Sequence, residues 1–215
     1  MVTVLAQNNS LVSNYLAEIR DDNIQKDSMR FRRNLERIGE VMAMEISKTM
    51  DFEPQMITTP LGEIECQMLS QQPVIATILR AGLPLHSGLL NYFDQAENCF
   101  ISAFRKHTGG DDFEIEIEYL ASPQLGDKTL ILCDPMLASG ASMVLAYKAV
   151  LERGVPEHLH VCCAIASEEG LKYAKRHLPA HTQFWIGDVD KELTAQAYIV
   201  PGLGDAGDLA YGSKM

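Results

Sequence analysis

A segment near the middle of the chain has the residue types and the order of an anion-binding loop. Apolar residues from Thr129 to Cys133 predict a buried strand, and a loop of small residues after Asp134 leads into a predicted helix. The first N–H groups of a helix lack partners within it, and the helix dipole adds partial positive charge there. Ser139 and Ser142 also offer hydroxyls, so the segment predicts a phosphate cradle, with Asp134 accepting hydrogen bonds from a sugar. An ordinary strand–loop–helix junction is the alternative.

A glycine-dense segment later in the chain could contact a second ligand. Gly202-Leu-Gly-Asp-Ala-Gly207 has the GxGxxG spacing of a dinucleotide-binding loop, but only eight residues follow Gly207. A dinucleotide-binding unit needs a helix and a second strand after that loop, so a nicotinamide-dependent dehydrogenase is disfavoured. The backbone after Tyr198-Ile-Val-Pro201 could instead bind the edge of a small planar molecule. A glycine-rich tail without a ligand is the alternative.

Two arginines are predicted to lie at the carboxyl ends of neighbouring strands. Arg80 follows the apolar run 74–79, and Arg105 follows the run 99–104. Ligands of open parallel sheets bind at the carboxyl ends of the strands, and a guanidinium there can hold an anion. The two positions therefore support one anion site, with surface ion pairs as the alternative reading.

The elements that must position these residues have the pattern of a parallel α/β domain. Short apolar runs alternate with helical stretches, which is typical of strands covered on both faces. The predicted strands are 74–79, 99–104, 129–133, 159–166 and 182–186, and the predicted helices are 27–50, 83–93, 142–153 and 168–177. A turn at Thr59-Pro-Leu-Gly62 predicts a hairpin of 55–59 with 63–69, and the alternating residues 113–119 predict a projecting hairpin arm.

Composition excludes several classes of protein. The chain has 215 residues, 47% of them hydrophobic, and a net charge of −11, which repels nucleic acid and anionic membranes. No apolar run reaches the roughly 18 residues of a membrane span, and the first 19 residues contain no Lys or Arg. Five cysteines without CxxC spacing predict reduced thiols. We therefore expect a cytoplasmic protein that binds neither nucleic acid nor membrane.

The two ligand segments resemble those of one enzyme family. Cys133-Asp-Pro-Met-Leu-Ala-Ser-Gly-Ala-Ser142 is similar to the phosphoribosyl pyrophosphate loop of uracil phosphoribosyltransferases, and 198–208 is similar to their uracil-binding signature. Matches at 59–62, 78–83 and 164–170 follow in the same order along the chain. The resemblance implies a type I phosphoribosyltransferase-like α/β fold in one domain (1–215), with a central parallel sheet flanked by helices. It also implies N-terminal helices in 1–50, a hairpin arm at 105–120 and a base-binding hood at 187–215.

The resemblance implies transfer of a phosphoribosyl group to N1 of uracil, which gives UMP and pyrophosphate in pyrimidine salvage. The implied catalytic residues are Arg80, Arg105, Asp134 and Asp205. The implied phosphoribosyl pyrophosphate site consists of Arg80, Arg105, Asp134, Pro135, Met136, Leu137, Ala138, Ser139, Gly140, Ala141, Ser142 and Asp205. Uracil is assigned to Ile199, Gly204, Asp205 and Ala206. Mg²⁺ is expected to arrive with the substrate and without a direct protein ligand.

The chain departs from the family pattern at several places, and residues 105–113 match the family poorly. Ala141 replaces a glycine, Leu209 replaces an arginine, and Met44 replaces a commonly seen tyrosine. The resemblance also implies a homodimer or larger assembly and leaves a response to GTP open. A catalytically weak, pyrimidine-sensing regulator of RNA is the alternative function, which the net charge of −11 disfavours.

Overall fold

The computed structural model describes residues 1–109 and 112–213, and the side chains of residues 103–116 are outside that description. In chain order, the strands are β1 (Val2–Val4), β2 (Phe52–Thr59), β3 (Gly62–Leu69), β4 (Val74–Leu79), β5 (Glu97–Gly109), β6 (Asp112–Ala121), β7 (Thr129–Cys133), β8 (Met136–Leu137), β9 (His158–Ser167), β10 (Gln183–Asp190), β11 (Glu192–Leu193) and β12 (Ile199–Val200). The helices are α1 (Leu11–Arg20), α2 (Ser28–Ser47), α3 (Leu83–Leu90), α4 (Ala141–Val150), α5 (Glu168–His177) and α6 (Ala206–Tyr211).

The main sheet is mostly parallel, as the sequence predicts. Its strand order is β1-β10-β9-β7-β4-β5-β6, with β8 paired to β9. Only the β5–β6 pair is antiparallel among the described ladders of this sheet. Strands β4, β7 and β9 are buried at nearly every position, because helices cover both faces. The α/β fold class is therefore confirmed.

The core is divided by the sheet into two layers. Helices α1, α2, α3 and α6 contribute to the cluster on one face, and α4 and α5 contribute to the cluster on the other. Helix α2 buries the predicted stripe, and the side chain of Asp27 accepts hydrogen bonds from the N–H groups of Met29 and Arg30 at its start. The predicted stripe of α2 consists of Phe31, Leu35, Ile38, Met42 and Ile46.

Several elements differ from the sequence-based boundaries. Strand β2 begins at Phe52 and not at residue 55, and β10 continues to Asp190 beyond the predicted end at residue 186. Strand β5 does not end at Phe104 but continues to Gly109, because β6 pairs with it after its ladder with β4 ends at Ser102. Arg105 therefore lies within a strand, opposite Ile115, and not after one. The segment that begins at Ala206 is a short helix, α6, where the sequence predicts only a glycine-rich loop.

The hairpin predicted around Thr59 and Gly62 is present as β2–β3, a two-stranded sheet separate from the main one. All five cysteines are free thiols; Cys66 is half-buried and the other four are buried. Within the described part of the chain, no helix combines the length and the apolar character needed to cross a bilayer.

Candidate active site

A cavity of about 550 Å³ opens at the carboxyl ends of β4 and β7 and beside the C-terminal segment. This volume is in the usual range for small-molecule sites. Most residues of the predicted sites line it together: Arg80, Asp134, Met136, Leu137, Ala138, Ser139, Gly140, Ser142, Ile199, Gly204, Asp205 and Ala206. The structure thus brings the loop 134–142, hereafter the phosphate loop, and the segment 199–206, hereafter the base segment, to one cleft.

Three predicted site residues are not placed in that lining. Pro135 is buried, and its carbonyl accepts a hydrogen bond from the N–H of Ile165 on β9. Ala141 is the first residue of α4. The side chain of Arg105 is outside the described residues. Their assigned roles stay predictions.

The phosphate loop leads directly into the N-terminus of α4. Gly140 is the N-cap, with φ of +81°, and among the described side chains none caps the helix. A Cβ at Gly140 would also lie 2.8 Å from the carbonyl oxygen of Gly170, so glycine is required both by the backbone conformation and by the approach of α5. The N–H of Ala141 donates a long hydrogen bond of 3.4 Å to Ser139 Oγ, a weak contact that an anion could displace. The N–H groups at the start of α4 are therefore available to an anion in the cleft.

Ser167 fixes the phosphate loop from the adjoining helix. Its hydroxyl donates to the carbonyl of Ala138 at 2.6 Å and accepts from the N–H of Gly170 at 2.8 Å, which caps α5. The sequence comparison matched 164–170 to the family without giving Ser167 a role. The sequence does contain a pattern that could have predicted this role: Ser167 stands directly before a helical stretch that begins with two glutamates, which is typical of an N-cap.

Asp134 sits at the end of β7, where burial raises the pKa of its carboxyl to about 7 although the backbone N–H of Met136 donates to it. Its own N–H donates to the carbonyl of Cys162 on β9, and burial also raises the pKa of the neighbouring Cys133 to about 12. Asp134 is half-buried at the wall of the cleft, so part of its carboxyl is packed against protein and away from solvent. A positive charge that develops nearby stabilises the ionised form of Asp134 strongly.

Arg80 connects the end of β4 to the C-terminal helix. One of its terminal nitrogens, Nη2, lies 3.3 Å from Asp208 Oδ1 and 3.2 Å from the carbonyl oxygen of Gly212. These contacts are long and partly exposed, so they are weak compared with a bidentate anion contact. Arg80 is therefore able to exchange these partners for an anionic ligand in the cleft.

Helix α6 holds the end of the base segment. Asp205 is its N-cap and accepts from the N–H of Asp208 at 3.0 Å, a spacing that could have predicted the helix. At the other end, Arg32 on α2 donates to the carbonyl of Ala210 at 2.7 Å, and its guanidinium lies 5.8 Å from the ring centre of Tyr211. The contact between Arg32 and the end of α6 and the cap formed by Asp205 were not predicted from the sequence.

The comparisons with known proteins agree with this arrangement. A family model described as uracil phosphoribosyltransferase matches residues 6–213. The chain is 54% identical over 211 residues to a uracil phosphoribosyltransferase from Porphyromonas gingivalis, which covers 98% of both proteins. The solved structure of the AQ2163 protein from Aquifex aeolicus aligns with a TM-score of 0.87 and 28% identity over 99% of this chain and 98% of that one. Adenine phosphoribosyl transferase from Trypanosoma brucei shares the fold, with a TM-score of 0.56 and 11% identity over 87% of this chain and 83% of that one.

Proposed function

The chain belongs to the uracil phosphoribosyltransferase family, and on that premise we propose how its cleft divides the two substrates. The chain is an enzyme of pyrimidine salvage with the type I phosphoribosyltransferase fold. It transfers the 5-phosphoribosyl group of phosphoribosyl pyrophosphate to N1 of uracil, with UMP and pyrophosphate as products. The named relatives are enzymes, which favours this activity over the alternative of an RNA regulator.

The observation that carries the proposal is the shared cleft of the phosphate loop and the base segment. Ser139 and Asp205 line the same cavity although 65 residues separate them in the sequence. The 5-phosphate of the sugar binds the hydroxyls of Ser139 and Ser142 and the N–H groups at the start of α4. The ribose hydroxyls donate to Asp134. Uracil lies at the base segment, so its N1 faces the anomeric carbon of the same sugar.

Arg80 and Arg105 hold the pyrophosphate as it leaves. Two negative phosphoryl groups attract the guanidinium of Arg80 more strongly than its present single-carboxylate contact with Asp208. Charge that accumulates on the departing oxygen is thereby stabilised more than the ground state is, which lowers the barrier. Arg105 contributes from the continuation of β5 beyond the end of its ladder with β4.

The sugar gains positive charge as the pyrophosphate leaves, and Asp134 and Asp205 supply negative charge beside it. The pKa of Asp134 is about 7 in the free protein because its site is poorly solvated. The developing positive charge favours the ionised carboxylate, so the interaction of Asp134 is stronger in the transition state than in the ground state. Among the described residues no histidine lines the cleft, and we assign the N1 proton to water.

The residues of this site fit a Mg²⁺ ion that binds together with phosphoribosyl pyrophosphate. Within the described residues, no three His, Cys, Asp or Glu side chains are grouped closely enough to hold a metal ion. The pyrophosphate oxygens and water would ligate the ion directly, and the carboxylates of Asp134 and Asp205 would reach it only through that water. When bound, Mg²⁺ supplies charge neutralisation of the pyrophosphate.

Uracil is recognised by backbone groups of the base segment. The N–H and C=O groups of Gly204, Asp205 and Ala206 can pair with both polar edges of the flat base, and Ile199 packs against its ring. Cytosine presents a donor where uracil presents an acceptor, so it would leave a buried group unpaired. The segment therefore selects uracil by hydrogen-bond pattern.

Self-association and the cytoplasmic location are part of the proposal. The β2–β3 hairpin forms its own sheet and exposes large apolar side chains; these are Phe52, Met56, Leu61, Ile64 and Met68. An isolated two-stranded hairpin is marginally stable in water, so a second copy of the chain that covers it accounts for its sequence. Five free thiols are typical of a reducing compartment, which supports a cytoplasmic location. The net charge of −11 disfavours a nucleic-acid or membrane partner.

The test of the proposed function is UMP formation from uracil and phosphoribosyl pyrophosphate with Mg²⁺, beside parallel reactions with cytosine, hypoxanthine and orotate. We expect product from uracil alone. Turnover of another base without turnover of uracil would contradict the base assignment. A gel shift with pyrimidine-operon leader RNA tests the regulator, and tight UMP-dependent binding there would favour it.

A further inference from the structure

A cluster of three charged side chains holds the turn in the middle of the base segment. Arg20 ends α1, and Asp188 and Asp190 lie at the end of β10; we call these three residues the Arg20 cluster. Nη1 of Arg20 donates to Asp190 Oδ2 at 2.8 Å, and its Nη2 donates to Asp190 Oδ1 and to Asp188 Oδ2, both at 2.9 Å. Arg20 and Asp190 thus form a two-bond fork, and Asp188 adds one further contact.

Both backbone polar groups of Gly202 bind to this cluster. Nη1 of Arg20 also donates to the carbonyl of Gly202 at 3.0 Å, and the N–H of Gly202 donates to Asp190 Oδ2 at 2.9 Å. The position of Gly202 is therefore set from both sides by the same ion pair. The contact joins the base segment to α1 and β10, which belong to the body of the fold.

The three side chains of the cluster differ in burial: Asp190 and Arg20 are largely buried, and Asp188 is more exposed. The side chain of Asp190 is 7% exposed and that of Arg20 is 19% exposed, whereas Asp188 is 40% exposed and touches no part of the base segment in these contacts. A buried ion pair often contributes little net stability, because desolvation offsets the attraction. The geometry of the Arg20–Asp190 fork is nevertheless strict, since each of these two largely buried charges is costly without the other.

The position of Gly202 constrains the neighbouring residues of the base segment that are assigned to uracil. It has a φ of +57°, and a Cβ there would lie 2.1 Å from the carbonyl oxygen of Ile199. Gly202 lies between Ile199 and Gly204, which are both assigned to uracil. A displacement of Gly202 therefore moves the residues on either side of the base, and backbone hydrogen bonds to a ligand weaken steeply with such displacement.

We propose that Arg20 and Asp190 are positioning residues for uracil recognition, which act by fixing the backbone of Gly202. The proposal rests on the proposed assignment of uracil to the base segment. Neither side chain lines the cleft, so neither contacts the reacting atoms. Loss of the fork loosens the base segment and leaves the phosphate loop, which is held by Ser167, in place.

The experiment compares four variants of the full chain by steady-state kinetics, with uracil and phosphoribosyl pyrophosphate varied separately. Asp190→Asn replaces one oxygen of the fork with a donor, and Arg20→Lys keeps the charge but loses the fork. Asp188→Asn is the matched control, because it alters the same cluster without touching Gly202. Ile199→Ala tests independently whether the base segment binds uracil.

We expect Asp190→Asn to raise the KM for uracil by about tenfold or more, with the KM for phosphoribosyl pyrophosphate changed by less than about twofold. Arg20→Lys raises the uracil KM by a smaller factor, and Asp188→Asn leaves both KM values near those of the parent. The preference for uracil over cytosine falls in parallel with the rise of the uracil KM. A purely structural role would instead lower kcat alone or change both KM values together, and that result would overturn the proposal.

The controls separate the two possible failures. A normal uracil KM in folded Asp190→Asn and Arg20→Lys, together with a raised one in Ile199→Ala, would refute the positioning role and leave the base site intact. A normal uracil KM in Ile199→Ala as well would refute the base site and the positioning role with it. If the cluster variants do not fold, hydrogen exchange at the Gly202 amide of the parent decides: slow exchange supports the fixed turn, and exchange at the rate of an unstructured chain overturns it.

Discussion

Asp205 has two tasks that can be separated by the choice of substitution. Its carboxylate caps α6 through the N–H of Asp208, and in our account it also faces the phosphoribosyl group. Asparagine is as good an N-cap as aspartate but carries no charge. We expect Asp205→Asn to lower the rate of UMP formation by roughly 100-fold, since one electrostatic contact to the transition state is lost. The free energy of unfolding from urea titration should stay within about 0.5 kcal/mol of the parent.

The matched control is Asp27→Asn, the same substitution at the N-cap of α2 on the surface. It should change neither the rate nor the unfolding midpoint. Equal rates for the Asp205 variant and this control would remove Asp205 from the catalytic residues, and unfolding of the Asp205 variant would give it a structural role only.

His160 makes the stability of the fold depend on pH. It is 2% exposed, and burial lowers the pKa of its imidazole to about 4, with His158 as a second, electrostatic cause. The indole N–H of Trp185 donates to its Nδ1 at 2.9 Å, so this nitrogen must be free of a proton. The unfolded chain binds a proton near pH 6.5 and the folded chain near pH 4, so stability is complete above pH 6.5 and falls as the pH is lowered from there toward 4.

We expect His160 to account for a loss of roughly 2 kcal/mol in the free energy of unfolding between pH 7.5 and pH 5. Urea titrations followed by the fluorescence of Trp185, the single tryptophan of the chain, measure this loss. His160→Gln should reduce the pH dependence by that amount, whereas exposed His158→Gln should retain it. The same slope in the His160 variant and the parent would show that other groups cause it.

Residue types and the family resemblance together predicted most residues of the cleft but not their supports. The phosphate loop and the base segment are each a short continuous stretch rich in glycine, small and polar residues, so both ligand segments could be recognised from the sequence. Arg20, Arg32 and Ser167 act through contacts with residues that are 29 to 182 positions away. Such contacts exist only after the sheet has formed, and one sequence does not indicate them.

At the scale of elements, Ser167 couples α5 to the phosphate loop. Ser167→Ala removes a helix cap and the bond to the carbonyl of Ala138 together. We expect a loss of about 1–3 kcal/mol in stability, because the half-buried Ala138 carbonyl and the buried Gly170 amide lose a partner. The KM for phosphoribosyl pyrophosphate should rise by about tenfold while the KM for uracil stays nearly constant.

Ser10→Ala is the control for this prediction, since Ser10 caps α1 through the N–H of Val12 at the surface. It removes a cap of the same kind at a distance from the phosphate loop, and it should leave both KM values unchanged. If Ser167→Ala and Ser10→Ala have the same kinetics, Ser167 stabilises α5 alone.

Long elements with clear periodicity were predicted well, and short ones were not. Helix α2 and strands β4, β7 and β9 follow from their apolar patterns, because each buries a continuous face. Helix α6 has six residues, three of them buried, which is too short for periodicity to appear. Strand β5 extends to Gly109 because it pairs with β6 there. The apolar pattern of β5 alone does not indicate how far that pairing continues.

At the scale of the whole molecule, the β2–β3 hairpin should hold two copies of the chain together. Ile64 is 53% exposed and lies opposite Ile57 in the ladder. Ile64→Asp places a charge on this surface, so we expect dimerisation to weaken by at least about tenfold. Sedimentation velocity over a dilution series measures the shift from dimer to monomer.

Glu65→Gln on the same strand is the control, because Glu65 is exposed and polar in both forms. It should sediment as the parent does. A parent that is monomeric at micromolar concentration, or an Ile64 variant that assembles normally, would exclude the hairpin as the contact between copies.

The fold class and most residues of the cleft were thus predictable from the sequence. The contacts that hold the sides of the cleft in place join residues far apart in the chain, and they were not predictable. The central claim is that one cavity holds a sugar phosphate at the phosphate loop and a pyrimidine at the base segment.

The measurement that tests this most directly is a crystal structure of the chain with bound UMP. The account predicts that the UMP phosphate contacts the backbone N–H groups of residues 139–142, and that its uracil lies on Ile199 with its edge paired to Gly204 and Ala206. A UMP molecule bound in the reverse direction, or bound outside this cleft, would contradict the account.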